Sequence, residues 1–438
     1  MSTYLLAWFI GEYAGKTVES ENGVSVSIFA PKDKLKMGMW ALSVAEKTLT
    51  FYEEYFGIKY PLKKLDMLAI SDFVNGAMEN WGLVTYRDRA IYCDETSSLA
   101  AKEYVTSVVA HELAHQWFGN LVTMEWWSQL WLNEGNATFM QSLANAAIYP
   151  QFDIWTSFAH EKLEMALSLD SKLSSHSVEI EIEKASQINE VFDVISYRKG
   201  ASLLKMLHEY IGDKAFRAGM TKYLKHYSYR NADSDGLWKF LAKESEKDVS
   251  GFMELFTRRQ GYPKIDIELV SIKGKKHTFR LRQSRFLTSG KTTEKTIWKV
   301  PIKIDVSGEK KWVYMHSEVM EVDFDIPEFK YILLNADATG FFRSKHSKAL
   351  AEKLMANMGG FPAKDRFMIV SDCSALFTAG EKSAAEMLFL LESLENEENN
   401  VVWTAAIGAI EKMRCLLRGS SKESEERLDA FSISLKFL

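Results

Sequence analysis

The residues most able to do chemistry are His111-Glu112-Leu113-Ala114-His115. On a helix, positions four apart lie on one face, about one turn from each other. Two neutral imidazoles so placed can share one small cation. Zinc accepts histidine nitrogen, takes a further protein ligand and leaves its last position to water. Glu112 cannot reach the same point as the two histidines. It lies beside them, placed to take a proton from an attacking water as a general base. The third ligand is expected from Glu134, in Trp131-Leu132-Asn133-Glu134-Gly135, at the start of a helical pattern that stops before Pro150. Thr138, one turn further on, is placed to support that ligand. Histidine is 9 of 438 residues and Asp plus Glu 59. A His-acid-x-x-His string then arises by chance about 0.02 times in such a chain, and with an acid at one fixed later position about 0.003 times. The plainer alternative is two surface histidines on an ordinary helix. Val105, Val108 and Val109 in the preceding turns argue for a buried helix, where an unpartnered histidine pair is costly.

A metal hydrolase needs something to set the register of its substrate. Gly76-Ala77-Met78-Glu79-Asn80 is the candidate. A carboxylate near the metal would pair with a free ammonium and place the first peptide bond over the cation. Gly76 lets a substrate backbone approach closely. A turn carrying one exposed glutamate is the alternative reading of that string by itself.

The elements that position these residues are legible in outline. Tyr4 to Ile10 is a continuous apolar run, the pattern of a buried strand, and Val24 to Phe29 alternates as a half-buried strand does. From about residue 36 to 260 the pattern is mostly helical, with one helix stopped at Gly119-Asn120 and another at Pro150. Strand periodicity returns from Pro263 to Arg343, in Ile265-Ile267-Leu269, Phe279-Leu281 and Val300-Ile302-Ile304, and predicts a small antiparallel sandwich. Past Ser344 the pattern is helical again, with Leu350, Leu354 and Met358 on one face. Glu395 to Asn400 reads as a solvated connector. Neither repeats nor low-complexity segments are evident.

The strings Gly76-Ala77-Met78-Glu79-Asn80-Trp81-Gly82, His111 through Asn120 and Trp131 through Gly135, in that order, resemble the gluzincin aminopeptidases that carry the GAMEN motif. The resemblance runs from Met1 to about Arg343 and more weakly beyond. It implies that His111, His115 and Glu134 hold one zinc per chain, that Glu112 is the base, and that Glu79, with Gly76, Ala77, Met78 and Asn80, binds the substrate's amino end. It also implies that Tyr197, in Ile195-Ser196-Tyr197-Arg198-Lys199-Gly200, donates to the oxyanion, a role that suits a phenol hydroxyl. The fold implied is multidomain α/β. Residues 1–13 would end an N-terminal β-domain that is mostly absent, 14–260 would be a mostly helical, thermolysin-like catalytic domain, 261–343 a β-sandwich and 344–438 part of a helical domain. Asn136 stands where the family usually has an aromatic residue, so the packing behind Glu134 is expected to differ. The substrate implied is a peptide with a free N-terminus. Two alternatives remain open: a truncated product that binds peptides without turnover, and an epoxide hydrolase of the leukotriene A4 hydrolase type, which usually has Gly in place of Ala77.

Length and composition fit these expectations. At 438 residues the chain exceeds one compact core. A net charge of −5 supplies no basic field for nucleic acid. Cys93, Cys373 and Cys415 form no CxxC pair, which points to neither a disulfide framework nor a cysteine metal site. A reducing, cytoplasmic location is expected. The Tyr4–Ile10 run is too short and lacks the basic flank of a secretory leader, and no apolar run reaches the ~18 residues of a membrane span. The sequence does not address oligomeric state.

Overall fold

The computed structural model describes residues 1–438 apart from 291, 293, 419–421 and 436–438. The architecture is mixed α/β. The chain divides into two compact units, Met1–Ile154 with Glu179–Ser250, and Trp155–Val178 with Gly251–Leu438.

The first unit is built on a five-stranded sheet. Its strands are β1 (Ala14–Glu19), β2 (Ser25–Ala30), β3 (Lys64–Ile70), β4 (Ala77–Met78) and β5 (Leu83–Arg87), in the spatial order β1-β2-β3-β5-β4. β2, β3 and β5 run parallel, while β1 and β4 are antiparallel edges. Parallel strands are covered on both faces and so carry unbroken apolar runs. Leu65, Met67, Leu68 and Ala69 are all buried, as are Val26 and Ile28. Residues 36 to 260 are mostly helical, as expected, but β3, β4 and β5 are strands within them that the pattern did not reveal: without alternation, a short apolar run cannot be told from a helix turn.

Helix α1 (Met39–Phe56) crosses from β2 to β3, and α2 (Leu99–Ala114) carries the histidine pair. Ser98 caps α2 by accepting the amide of Ala101 at 3.2 Å, as an N-cap serine does. Val105, Val109 and Leu113 turn one face of α2 inward, and Val108 is half-buried. Tyr52 of α1 donates its hydroxyl to the Ala110 carbonyl at 2.9 Å, and its ring meets Trp117 edge-on. Each such side chain contributes about 1.5–3 kcal/mol on burial, so α2 is held firmly before any cation is considered. α2 ends at Ala114 with His115 as its C-cap, one turn earlier than Gly119-Asn120 implied. Helix α3 (Leu130–Ile148) does stop ahead of Pro150 and places Glu134 in its first turns.

The run Tyr4–Ile10 is not a strand. Thr3–Leu5 is a 3₁₀ turn, and of the remainder Leu6, Trp8, Phe9 and Ile10 are exposed. An apolar run becomes a strand only where a neighbour pairs with it, and the described residues offer none. The Val24–Phe29 alternation holds, with Val26 and Ile28 inward in β2.

In the second unit, strands between Pro263 and His346 form a four-stranded and a three-stranded sheet. Ile265, Ile267, Phe279, Leu281, Val300, Ile302 and Ile304 are buried, as their alternation predicted. One pairing departs from the antiparallel expectation: Arg343–His346 runs parallel to Pro263–Lys273. Helices follow from Lys348, and Leu350, Leu354 and Met358 are all buried. Glu395–Asn400 is largely exposed, although the Glu397 carboxylate is covered and binds Arg366.

Candidate metal centre

Five elements of the first unit bring the candidate residues together. α2 supplies His111, Glu112 and His115, and α3 supplies Glu134. The edge strand β4 leads into Glu79, and a single π-turn at Ile195–Lys199 holds Tyr197 at the start of helix α4 (Gly200–Ile211). α3 and the π-turn approach very closely. A Cβ on Gly135 would lie 3.2 Å from the Gly200 Cα, and a Cβ on Gly200 equally close to Gly135. Glycine at both positions lets Tyr197 reach the Glu134 carboxylate, to which its hydroxyl donates. The Tyr197 ring also stacks on His111, centroids 6.0 Å apart.

His111 Nε2, His115 Nε2 and Glu134 Oε2 form a triangle with edges of 3.0, 3.2 and 3.2 Å. Ligands of a tetrahedral zinc at about 2.0–2.1 Å stand about 3.3 Å apart, so the three atoms match one face of that tetrahedron. The other ring nitrogens fix the tautomers. His115 Nδ1 lies 2.9 Å from the Phe118 carbonyl, which only accepts, so Nδ1 carries the hydrogen. His111 Nδ1 makes the same kind of contact, 2.9 Å to Gln141 Oε1. In the neutral rings both Nε2 lone pairs therefore face each other and a carboxylate oxygen. Such an arrangement requires a positive charge at its centre.

Electrostatics carry the same demand. Burial pushes the His111 pKa down, beyond what Glu134 restores. At His115 burial acts in the same sense, but Glu79, Glu134 and Glu112 overcome it and hold the pKa up at about 10. The two rings move in opposite directions because burial dominates at His111, whereas His115 faces three carboxylates. Glu134 stays ionised well below the usual carboxylate range: burial opposes this, and the two imidazoles outweigh it. Burial raises Glu112 well above its ordinary value, with Glu79 and Glu134 adding to the rise. Glu112 Oε2 is buried and has no hydrogen-bond partner among the described residues. An orphaned carboxylate oxygen beside a cation site fits a group that meets a water or a proton.

Glu79, Glu112 and His115 also converge, with ligand atoms within 4.8 Å of one another. The Glu79 backbone carbonyl accepts from Asn120 Nδ2 at 2.9 Å, so the loop after His115 fixes the glutamate. Gly119 turns that loop at φ 129°, directly under the His115 ring. Ala77 and Met78 pair with β5 on one side only, as an edge strand does. Gly76 is exposed, and nothing closer than the Tyr104 hydroxyl at 4.0 Å fills the place of its missing Cβ. Asn80 is committed inside the protein, accepting from Thr85 at 3.0 Å and donating to the Leu5 carbonyl at 3.3 Å. Asn136 is buried and turns its amide back to the Leu132 carbonyl at 2.8 Å, which is how the helix behind Glu134 accommodates it.

Sequence reasoning missed Gln141, which orients His111. It sits seven residues past Glu134 on the same helix face, a spacing that could have flagged it beside Thr138. Tyr4, whose hydroxyl donates to Glu79, had no local signal at all.

Three potential ligands with a further carboxylate beside them form a candidate cation site, and the comparisons with known proteins give the chain a family. Residues 40–256 match the peptidase family M1 domain, and residues 331–436 match the ERAP1-like C-terminal domain. Aminopeptidase M1 of Arabidopsis thaliana is 40% identical over 416 residues, covering 91% of this chain and 46% of that protein. The alanine/arginine aminopeptidase of Saccharomyces cerevisiae is 36% identical, covering 99% and 50%. The puromycin-sensitive aminopeptidase of Caenorhabditis elegans is 35% identical, covering 97% and 46%. The chain belongs to the M1 aminopeptidase family and spans about half the length of the curated relatives it matches. Among the described residues no helix is long and apolar enough to cross a membrane.

Proposed function

We propose that this chain is a zinc aminopeptidase that removes the first residue from peptides with a free N-terminus. The observation that carries this reading is the convergence of two lone-pair imidazoles and a carboxylate on one point, with Glu79 and Glu112 beside it. His111, His115 and Glu134 would hold one zinc per chain, which when bound supplies Lewis acidity toward the carbonyl and the attacking water. Glu79 pairs with the substrate ammonium and so sets the first peptide bond in register. The free edge of β4, at Gly76, Ala77 and Met78, offers backbone groups to an extended peptide, and Asn80 keeps that strand in place. Glu112, whose Oε2 has no partner among the described residues, takes the proton of the attacking water and later delivers it to the leaving amine. Tyr197 donates its hydroxyl to the carbonyl oxygen as charge develops there, which its high pKa leaves it able to do.

In this reading residues 14–260 form a thermolysin-like domain, 261–343 a β-sandwich and 344–438 a helical domain. The three free cysteines suit a reducing, cytoplasmic compartment. The test uses zinc-loaded chain, a free peptide and its N-acetylated copy, followed by mass spectrometry. Loss of one residue at a time from the free peptide alone is expected. Internal cuts or cleavage of the blocked copy would make it a general endopeptidase, and no cleavage of either would favour a product that binds peptides without turnover.

A further inference from the structure

The short 3₁₀ turn Thr3–Leu5 lies against the amine-anchor strand rather than in solvent. Leu5 is buried, and its carbonyl accepts from Asn80 Nδ2 at 3.3 Å. The Tyr4 ring tilts against Trp127 with centroids 6.1 Å apart. Among the described residues its hydroxyl meets Asn133 Nδ2 at 3.4 Å and the Glu79 carboxylate. The amide nitrogen can only donate and an ionised carboxylate can only accept. The direction of the chain is therefore fixed: Asn133 donates to Tyr4, and Tyr4 donates to Glu79. Asn133 immediately precedes the ligand Glu134 on α3, so this relay ties the amine anchor to the helix that carries a metal ligand.

We propose that Tyr4 is a positioning residue: its hydroxyl holds the Glu79 carboxylate at a set distance from the metal centre and orients the oxygen that meets the substrate's ammonium. The proposal rests on the reading of Glu79 as amine anchor. Glu79 has two handles. Asn120, and more distantly Gln116, hold its backbone carbonyl at 2.9 and 3.5 Å, which fixes the chain but leaves the side-chain torsions free. Tyr4 supplies the contact that fixes the side chain. Burial, reinforced by the Glu79 and Glu134 charges, raises the phenol pKa far above its usual range, so the hydroxyl remains a donor throughout the working pH. The relay has little to do with holding the cation, so its loss should be felt in substrate binding more than in turnover or zinc content.

The test is a double-mutant cycle with Tyr4→Phe, Glu79→Gln and both together, on the zinc-loaded chain. Tyr4→Phe keeps the ring against Trp127. A ketomethylene dipeptide isostere with a free amine is the probe, its Kd read by calorimetry and its zinc content by elemental analysis. Tyr4→Phe should weaken binding about tenfold, the size of one charge-assisted hydrogen bond, with zinc unchanged. In the Glu79→Gln background the same substitution should cost less than about twofold, because its partner is already lost. Asn133→Leu, which removes only the donor that orients the phenol, should weaken binding about threefold. On a turnover substrate the Tyr4→Phe effect should fall on KM, with kcat changed less than about threefold. An unchanged Kd for Tyr4→Phe where Glu79→Gln weakens binding, or the same penalty in both backgrounds, overturns the proposal. If Glu79→Gln itself leaves Kd unchanged, the amine-anchor reading fails first and takes this proposal with it.

Discussion

Each compact unit buries a cluster of charge, and the two clusters are built on opposite plans. In the second unit the buried guanidinium of Arg343 donates to Glu164 at 2.7 and 2.9 Å, to Ser371 at 2.8 Å and to Asp372 at 3.2 Å. The other Asp372 oxygen accepts the amide and hydroxyl of Ser344. Of this cluster's polar atoms, Arg343 Nε has no partner among the described residues. The metal centre gathers three carboxylates and two imidazoles that point lone pairs at one another. Buried charge that is matched inside the chain is a structural brace. Buried charge left unmatched waits for something the chain does not supply.

The comparison breaks first at turnover. Glu112→Gln keeps size and shape but removes the base, so zinc should stay while kcat falls roughly 10²- to 10⁴-fold. His115→Ala should lose the metal as well. Zinc retained at one per chain in His115→Ala, read by elemental analysis, would mean the cation lies elsewhere.

Arg343→Met tests the other cluster. It leaves Glu164 and Asp372 buried without their cation, and breaking such a pair costs about 3–5 kcal/mol. Chemical denaturation should show that loss with zinc affinity unaltered. A variant as stable as the parent would take the brace out of the account.

Metal removal sharpens the contrast through pH. His115, held up at about 10 by the surrounding carboxylates against the pull of burial, stabilises the metal-free fold fully below pH 6.5. That contribution is lost as pH rises from 6.5 through about 10. Metal-free chain should therefore melt at progressively lower temperature across this window, while zinc-saturated chain should not, because the metal replaces the proton. Parallel melting curves against pH for the two forms would show that no proton stands in for the cation.

Tyr197→Phe is the next smaller effect. It should preserve zinc and lower kcat roughly 10²- to 10³-fold if the hydroxyl serves the oxyanion. An unaltered kcat would return Tyr197 to a packing role on His111.

What the sequence revealed follows the same division. The convergence of His111, His115 and Glu134 was legible because a shared cation would impose such a spacing along helices, and Glu79 stood out because its neighbours form a recognisable string. Strands β3 and β5 were hidden within a region read as helical, since parallel strands buried on both faces lose the alternation that marks a strand, whereas β2 kept enough of it to be read. The Tyr4–Ile10 run misled for the related reason that apolar composition says nothing about a pairing partner. Gln141 was within reach of helical spacing. Tyr4 and Asn133 were not, because the turn that brings residue 4 against residue 79 exists only in three dimensions.

Glu79→Ala is the smallest effect and bears most directly on the proposed reading of substrate register. Glu79 is buried, and burial raises its pKa, although His115 works against the rise. In the proposed reading, a carboxylate kept there at such a cost serves the substrate's ammonium. Removing it should leave zinc in place, since His111, His115 and Glu134 are untouched. It should weaken kcat/KM on free peptides by about 2 kcal/mol, near thirtyfold, as loss of one charge-assisted contact does in a partly enclosed site. Acetylation removes the same charge from the substrate, so parent and variant should be about equally poor on N-acetylated peptides. If the variant instead keeps full kcat/KM on free peptides, Glu79 is only another member of the negative cluster around His115, and register must be set by the edge of β4 alone.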